Sequence, residues 1–221
     1  MFKSIHPDSE RVFHDVEQNT DEWLYLRSGK FNASSITDLL SGKKTKGYND
    51  AIKRVAVERL SNEPVESSFF GNGYTERGHE LEPLARKEYE DLTFSVVENG
   101  GFVQFTDWVG ASPDGIMSDN SGIYGTEFKA PGYSKFLEYL LDPNQLLKDH
   151  YKQVQAQIYV CGFEWVDLVA YYPMYKLVKV RVERDDEFMS LIENEIEIAK
   201  EKVNELIEII KTHRTDYEGE K

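Results

Sequence analysis

Apolar and polar positions divide the chain into a helical first part, an alternating middle and a helical end. Asp21-Glu22-Trp23 opens a short helix that stops near Gly29. Ala33 to Leu40 predicts a second, with Asn32 or Ser34 as its N-cap. Residues 41–47 form a basic loop punctuated by glycine, and helical spacing returns over 49–60 and 75–91, where Pro83 must kink or restart the helix. The period then falls to two. Strands are predicted at 94–97, 102–105 and 108–111, then a turn at 118–122 and a strand at 123–129. Helices at 134–141 and 149–160 precede strands at 165–172 and 177–182, which Pro173 separates. A last helix over 185–211 carries one apolar stripe of Phe188, Ile192, Ile196, Ala199, Val203, Leu206 and Ile210, expected to pack on the sheet or on a neighbouring subunit. This order predicts an α/β fold: a central mixed β-sheet flanked by helices, with a long C-terminal amphipathic helix.

The 221 residues suit a single domain over 1–221, with a core at about 21–182, and the 40% of hydrophobic residues suffice for a real core. Cys161 is the single cysteine, which excludes an intrachain disulfide framework, a Cys-rich zinc finger and a four-cysteine iron–sulfur cluster. No apolar run approaches the roughly 18–20 residues of a membrane span, and the first residues lack the apolar stretch of a secretory signal. A soluble, cytoplasmic protein is expected. The net charge of −14 argues against a protein that coats nucleic acid by bulk positive charge. Charge is uneven, however. Arg27, Lys30, Lys43, Lys44, Lys46, Lys53, Arg54 and Arg59 face only Asp38, Asp50 and Glu58 within residues 27–59, whereas the segment after residue 181 is acidic.

The chemistry concentrates in Ser112-Pro113-Asp114-Gly115 and in Glu127-Phe128-Lys129. Glu127 and Lys129 lie two apart on a predicted strand and share a face. A hairpin from Asp114 back to Glu127 sets two carboxylates side by side, an arrangement that a bound cation relieves. Oxygen ligands without His or Cys favour Mg²⁺, with Mn²⁺ as a substitute, and an amine beside such a metal can position or deprotonate a water for attack on a phosphodiester. Either motif alone is commonplace, as a surface turn or a cross-face ion pair. Three further features join them. Glu80 and Glu82 precede Pro83 and point to different helix faces, so one of the two can reach a site. Gln153, Gln155 and Gln157 fan around a helix. Arg27 lies close to Asn32 and to Ser34 and Ser35 near a helix start, a setting that favours an anion. The five histidines show no metal-ligand spacing.

In order, the motifs are Trp23-x-x-x-Arg27-x-Gly29-x-x-x-Ala33-Ser34, Gly78-x-x-x-Glu82-Pro83-x-Ala85, Ser112-Pro113-Asp114-Gly115, Glu127-x-Lys129 and Gln153-Val154-Gln155. This set resembles the phage lambda exonuclease family, viral recombination alkaline exonucleases of the PD-(D/E)xK restriction-endonuclease-like superfamily, from about Trp23 to about Tyr172. The resemblance implies that Glu82, Asp114 and Glu127 bind metal and that Asp114, Glu127, Lys129 and Gln153 are catalytic, Lys129 orienting or activating the attacking water. It implies a 5′-phosphate pocket at Arg27, Ser34 and Ser112. It further implies 5′→3′ digestion of linear duplex DNA to mononucleotides, leaving 3′ single-stranded tails for recombination, by a trimeric ring that works with a single-strand annealing protein. The hairpin between Asp114 and Glu127 is somewhat long for the family, which leaves its turn open.

In such a ring the basic segment at 27–59 lines the bore and the acidic tail lies outside. The alternatives are a structure- or site-specific endonuclease of the same superfamily, a non-catalytic DNA-binding recombination scaffold, and an unrelated α/β domain in which the motifs are coincidental.

Overall fold

The computed structural model describes residues 11–65 and 73–213. The first ten residues, which include His6 and lack a signal-like apolar stretch, and the last part of the acidic tail lie outside them.

Local chemistry sets the helix ends. The Thr20 hydroxyl accepts the Trp23 N–H to start α1 (Asp21–Arg27), and Asn32 and Ser35 form a reciprocal capping box on α2 (Ala33–Leu39). Thr45 caps α3 (Lys46–Ser61), which closes on Asn62 in the left-handed region. The long α4 (Gly73–Thr93) follows. Asp142 caps α6 (Pro143–Cys161) with Pro143 in its first turn, directly after α5 (Tyr133–Leu141).

Two sheets form. A small antiparallel one has the order β1-β3-β4, from β1 (Val12–His14), β3 (Phe102–Thr106) and β4 (Val109–Ala111). The main sheet has the order β2-β5-β6-β7-β8, from β2 (Glu98–Asn99), β5 (Gly115–Asp119), β6 (Gly122–Lys129), β7 (Trp165–Ala170) and β8 (Val178–Glu183). Within the main sheet, among the described strands, only β6 and β7 pair in parallel. Such a pair needs a long crossover, and α5 with α6 supplies it. One face of the sheet takes α4 through Ala85, Tyr89, Met117, Phe128 and Val169. The other takes α6, with Val154, Ile158, Ile116, Val166 and Leu168 in a common core. Cys161, the last residue of α6, is buried, and burial pushes its thiol pKa well up.

The mixed sheet and flanking helices match the sequence expectation, with local corrections. Residues 94–97 do not form a strand. Phe94 sits at φ 56°, Val97 donates to the Glu90 side chain, and only 98–99 pair, as β2. The predicted turn at 118–122 is the tip of a hairpin: β5 runs to Asp119 and pairs Asp119 with Gly122. The long Asp114–Glu127 connection is therefore ordinary two-stranded ladder. The α6 helix starts at Pro143 rather than 149, because proline is suited to a first helical turn. Pro83 neither ends nor restarts α4, which continues through it and is held by Ala85 and Tyr89 in the core. Strand β1 carried too short an apolar pattern to stand out. The last helix, α7 (Asp186–His213), packs on α3, α6 and α2 rather than on the sheet. Its stripe is buried at Ile192, Ile196, Ala199 and Val203, with Met189 added and Phe188 and Leu206 at the margin.

Ile192→Ala, at a fully buried position, is expected to cost about 2–4 kcal/mol in denaturant unfolding. Ile209→Ala, at a position 57% exposed on the same helix, is expected to change stability by less than about 0.5 kcal/mol.

Candidate active site

The site forms where the start of β5 meets the end of β6. Gly115 stands opposite Thr126, which puts Asp114 beside Glu127 and Phe128. The Asp114 Oδ2 accepts the Phe128 backbone N–H at 2.7 Å. The turn carrying Asp114 is fixed from three directions. Arg86 of α4 donates to the Asp114 carbonyl, and Gln18 donates to the Pro113 carbonyl at 3.1 Å. Gly100 lies so close to Pro113 that a Cβ there would sit 1.7 Å from the Pro113 oxygen, so only glycine fits.

Glu127 is buried and held by three donors. Its Oε1 accepts from Lys129 Nζ at 2.6 Å and from Gln153 Nε2 at 2.7 Å, and its Oε2 accepts from Gln157 Nε2 at 2.5 Å. Gln153 Oε1 in turn accepts from Lys129 at 3.1 Å. Strand alternation brings Glu127 and Lys129 to the α6 face, and the i,i+4 spacing of Gln153 and Gln157 brings both amides to the same carboxylate. The expectation that the three glutamines fan apart holds only for Gln155, which bonds the Glu183 carbonyl and the Asp185 N–H on another side of α6. Gln157 is the functional candidate that sequence reasoning missed, and its four-residue spacing from Gln153 was the available signal.

Electrostatics marks the site strongly. Burial, then repulsion from Glu127 and Glu82, raises the Asp114 pKa well above the ordinary aspartate value. Burial also raises Glu82, with Glu127 adding to it and Arg86 opposing it. For Lys129, burial alone would favour the neutral amine, yet Glu127, Asp114 and Glu82 together hold its pKa above the usual lysine value. Lys129 is therefore an ammonium and a hydrogen-bond donor here. Burial and then the Lys129 charge push His150, one turn before Gln153, down to about 4, so it is neutral at physiological pH.

The donor set suits a hard divalent cation: carboxylate oxygens that resist sharing one region as anions, and a buried Gln157 Oε1 with no hydrogen-bond partner beside them. Glu82, by contrast, leans on Arg86 at 3.8 Å, and among the described residues no three His, Cys, Asp or Glu side chains stand grouped to hold a metal.

A second cluster lies on the far side of Ser112. The Ser112 Oγ accepts from Trp23 Nε1 at 2.8 Å and from Arg27 at 3.2 Å, and the Arg27 guanidinium lies 4.0 Å over the Trp23 ring. No carboxylate of the described residues pairs with Arg27. Burial and then Arg54 lower its pKa to about 10, so it stays charged at neutral pH. A half-buried guanidinium without an acid suits an anion. Ser34 is exposed and donates to Asn32 at 2.6 Å, so it joins the α2 cap rather than Arg27 and Ser112.

Residues 22–164 match the family model described as the YqaJ-like viral recombinase domain. The chain belongs to that family. Among solved structures, the YqaJ-like domain is similar to the LHK-Exo exonuclease in complex with dAMP, at 28% identity and TM-score 0.77, covering 88% of this chain and 97% of that one. A second structure of LHK-Exo, the alkaline exonuclease from Laribacter hongkongensis, gives TM-score 0.73 at the same identity and coverage. A phage-related exonuclease from Haemophilus somnus 129PT, at 18% identity, TM-score 0.63 and coverage of 85% and 99%, shares the fold. No curated protein matches the chain significantly. These findings agree with the resemblance to lambda-type exonucleases drawn from the motifs.

Asp114 and Glu82 hold protons more tightly in the folded YqaJ-like domain than unfolded, so their contribution to stability is present below the ordinary carboxylate range and is lost as pH rises through their raised pKa values. Asp114→Asn, which keeps an acceptor for the Phe128 N–H, is expected to raise the metal-free melting temperature at pH 8 and to change it little at pH 4. Calorimetry at the two pH values checks this.

Proposed function

We propose that this protein is a Mg²⁺-dependent exonuclease that digests linear double-stranded DNA from the 5′ end and leaves 3′ single-stranded tails for recombination. Membership of a viral recombinase family and likeness to alkaline exonucleases support the nuclease role. The observation that carries the reading is the meeting of Asp114, Glu127 and Lys129 at the joined ends of β5 and β6, with Glu127 gripped by two glutamines.

Asp114 and Glu127 would hold the divalent cation, with Glu82 able to join from α4. Mn²⁺ is a possible substitute for Mg²⁺. Such an ion, when bound, lowers the pKa of a water and offsets charge on the scissile phosphate. The chain's own groups do the rest. Gln153 and Gln157 fix the Glu127 carboxylate, leaving it no freedom to rotate. Lys129, kept cationic, orients the attacking water and offsets negative charge as it builds in the transition state. Arg27 with Ser112 grips the terminal 5′-phosphate and so sets the one-nucleotide step. Lys43 and Lys44 on the exposed loop and Lys46 at the start of α3 lie along the duplex path. A trimeric ring, a single-strand annealing partner and action in the cytoplasm of a bacterial host belong to the same reading and rest on the family resemblance. No helix of the described residues is long and apolar enough to cross a membrane.

The test uses a linear duplex with a 5′-phosphate on one strand, a 5′-hydroxyl on the other and a label on each. Loss of the phosphorylated strand as mononucleotides, abolished by chelation and sparing closed circular DNA, is expected. Cutting of the circle would favour an endonuclease, and no cutting with Mg²⁺ or Mn²⁺ would favour a scaffold. Lys129→Ala is expected to keep DNA binding and lower cleavage by about 10²–10⁴-fold. Replacing Lys43, Lys44 and Lys46 together by alanine is expected to weaken binding and to flatten the salt dependence by roughly one to three units of log–log slope.

A further inference from the structure

Glu58 belongs to none of the sequence motifs, yet this acidic residue is 5% exposed, a rare combination that calls for partners. It has them. Its Oε2 accepts the Gly29 backbone N–H at 2.9 Å and Arg54 at 2.5 Å. Arg54 reaches on to the Lys30 carbonyl at 2.9 Å. Gly29 stands at φ 69°, and a Cβ there would meet the Arg59 side chain at 3.1 Å. The residues held in this way are the two that follow Arg27 and Ser28. Beyond them, Phe31 is pinned to β4 by exchange of hydrogen bonds with Trp108 and Gly110. The chain that leaves the Arg27 end of α1 is therefore held at three successive residues, Gly29, Lys30 and Phe31.

The same carboxylate answers an electrostatic difficulty. Arg27, Arg54, Lys30 and Arg59 crowd together, and their charges act on one another: Arg54 lowers Arg27, and Arg59 lowers Lys30. Glu58 opposes that effect at Arg27, and at Lys30 together with Asp107, whose share there is the larger, without being an ion-pair partner of either Arg27 or Lys30. The Arg27 guanidinium edge meanwhile stays unclaimed by any acid of the described residues.

We propose that Glu58, with Arg54, is a positioning residue of the anion pocket. It sets the turn behind Arg27 and neutralises the surrounding cations from the rear, so that Arg27 presents a charged, acid-free edge to a terminal 5′-phosphate. This rests on the pocket assigned under the proposed function. The ligand class is a phosphomonoester at a DNA end, and Glu58 itself does not touch it.

The experiment compares wild type, Glu58→Gln, Arg27→Ala and the double variant on duplexes that differ only in a 5′-phosphate or a 5′-hydroxyl. Glu58→Gln keeps an acceptor for Gly29 and removes the charge. It is expected to lower the preference for phosphorylated ends about tenfold, through KM rather than kcat, since charge-assisted contacts of this kind are lost. In the double variant the preference is expected to fall no further than in Arg27→Ala, because the two residues act on one contact. Thermal unfolding monitors folding. Should Glu58→Gln not fold, Arg54→Gln, at a position 26% exposed, is expected to lower the same preference in the same way. An equal loss on both kinds of end, an unchanged preference in a folded variant, or additive losses in the double variant would overturn the positioning role. Absence of any preference in the wild type would instead overturn the phosphate pocket itself, and the role with it.

Discussion

Everything at the candidate site depends on the pairing of β5 with β6. The ladder from Gly115–Thr126 to Asp119–Gly122 leaves Asp114 no position except beside Glu127, and the Phe128 N–H fixes the Asp114 carboxylate there. Burial there penalises the charged Asp114 carboxylate, and repulsion from Glu127 and Glu82 adds to it, so its pKa is raised. The backbone thus imposes an arrangement that the side chains alone would avoid. The surrounding groups are the answer to it: Lys129 from the same strand, Gln153 and Gln157 from the crossover helix, and Arg86 behind the turn.

Much of this was legible in the sequence where a short-range rule applies. Strand alternation placed Glu127 and Lys129 on one face. The mixed sheet followed from the order of periodic segments, and the buried stripe of α7 from its spacing. The errors arose where local pattern competes with pairing or packing. Ser118 and Asp119 look like turn residues, yet the ladder with β6 takes them as strand. Pro83 looks like a break, yet the burial of Ala85 and Tyr89 keeps α4 whole. Gln157 carried a local signal in its four-residue spacing from Gln153, but the carboxylate that both amides hold was not in that signal, and Glu58 carried none. Each acts through one distant partner, Glu127 thirty residues back and Gly29 twenty-nine residues back, and no local periodicity reports such a contact. Ser34 shows the reverse case, in which a capping role satisfies the hydroxyl that the family pattern assigns elsewhere.

The charge distribution gains meaning from the fold. A net charge of −14 is compatible with the proposed DNA substrate because attraction is needed only along its path. Positive charge is gathered around Arg27, Lys30, Arg54 and Arg59, with one buried acid moderating it, while α7 carries a solvated acidic surface away from the sheet. The carboxylate site and the guanidinium site are joined by two consecutive links of chain, Ser112 contacting Arg27 and Asp114 contacting Phe128. A movement of the Ser112–Asp114 turn would disturb both at once.

The sequestered Cys161 bears on how such movements could be watched. With its single sulfhydryl enclosed at the end of α6 and held protonated, the molecule offers an almost blank background to thiol-directed reagents. A thiol introduced at a solvent-facing position such as Met174, which is 95% exposed, would take up a fluorophore or spin label selectively without first removing the native cysteine.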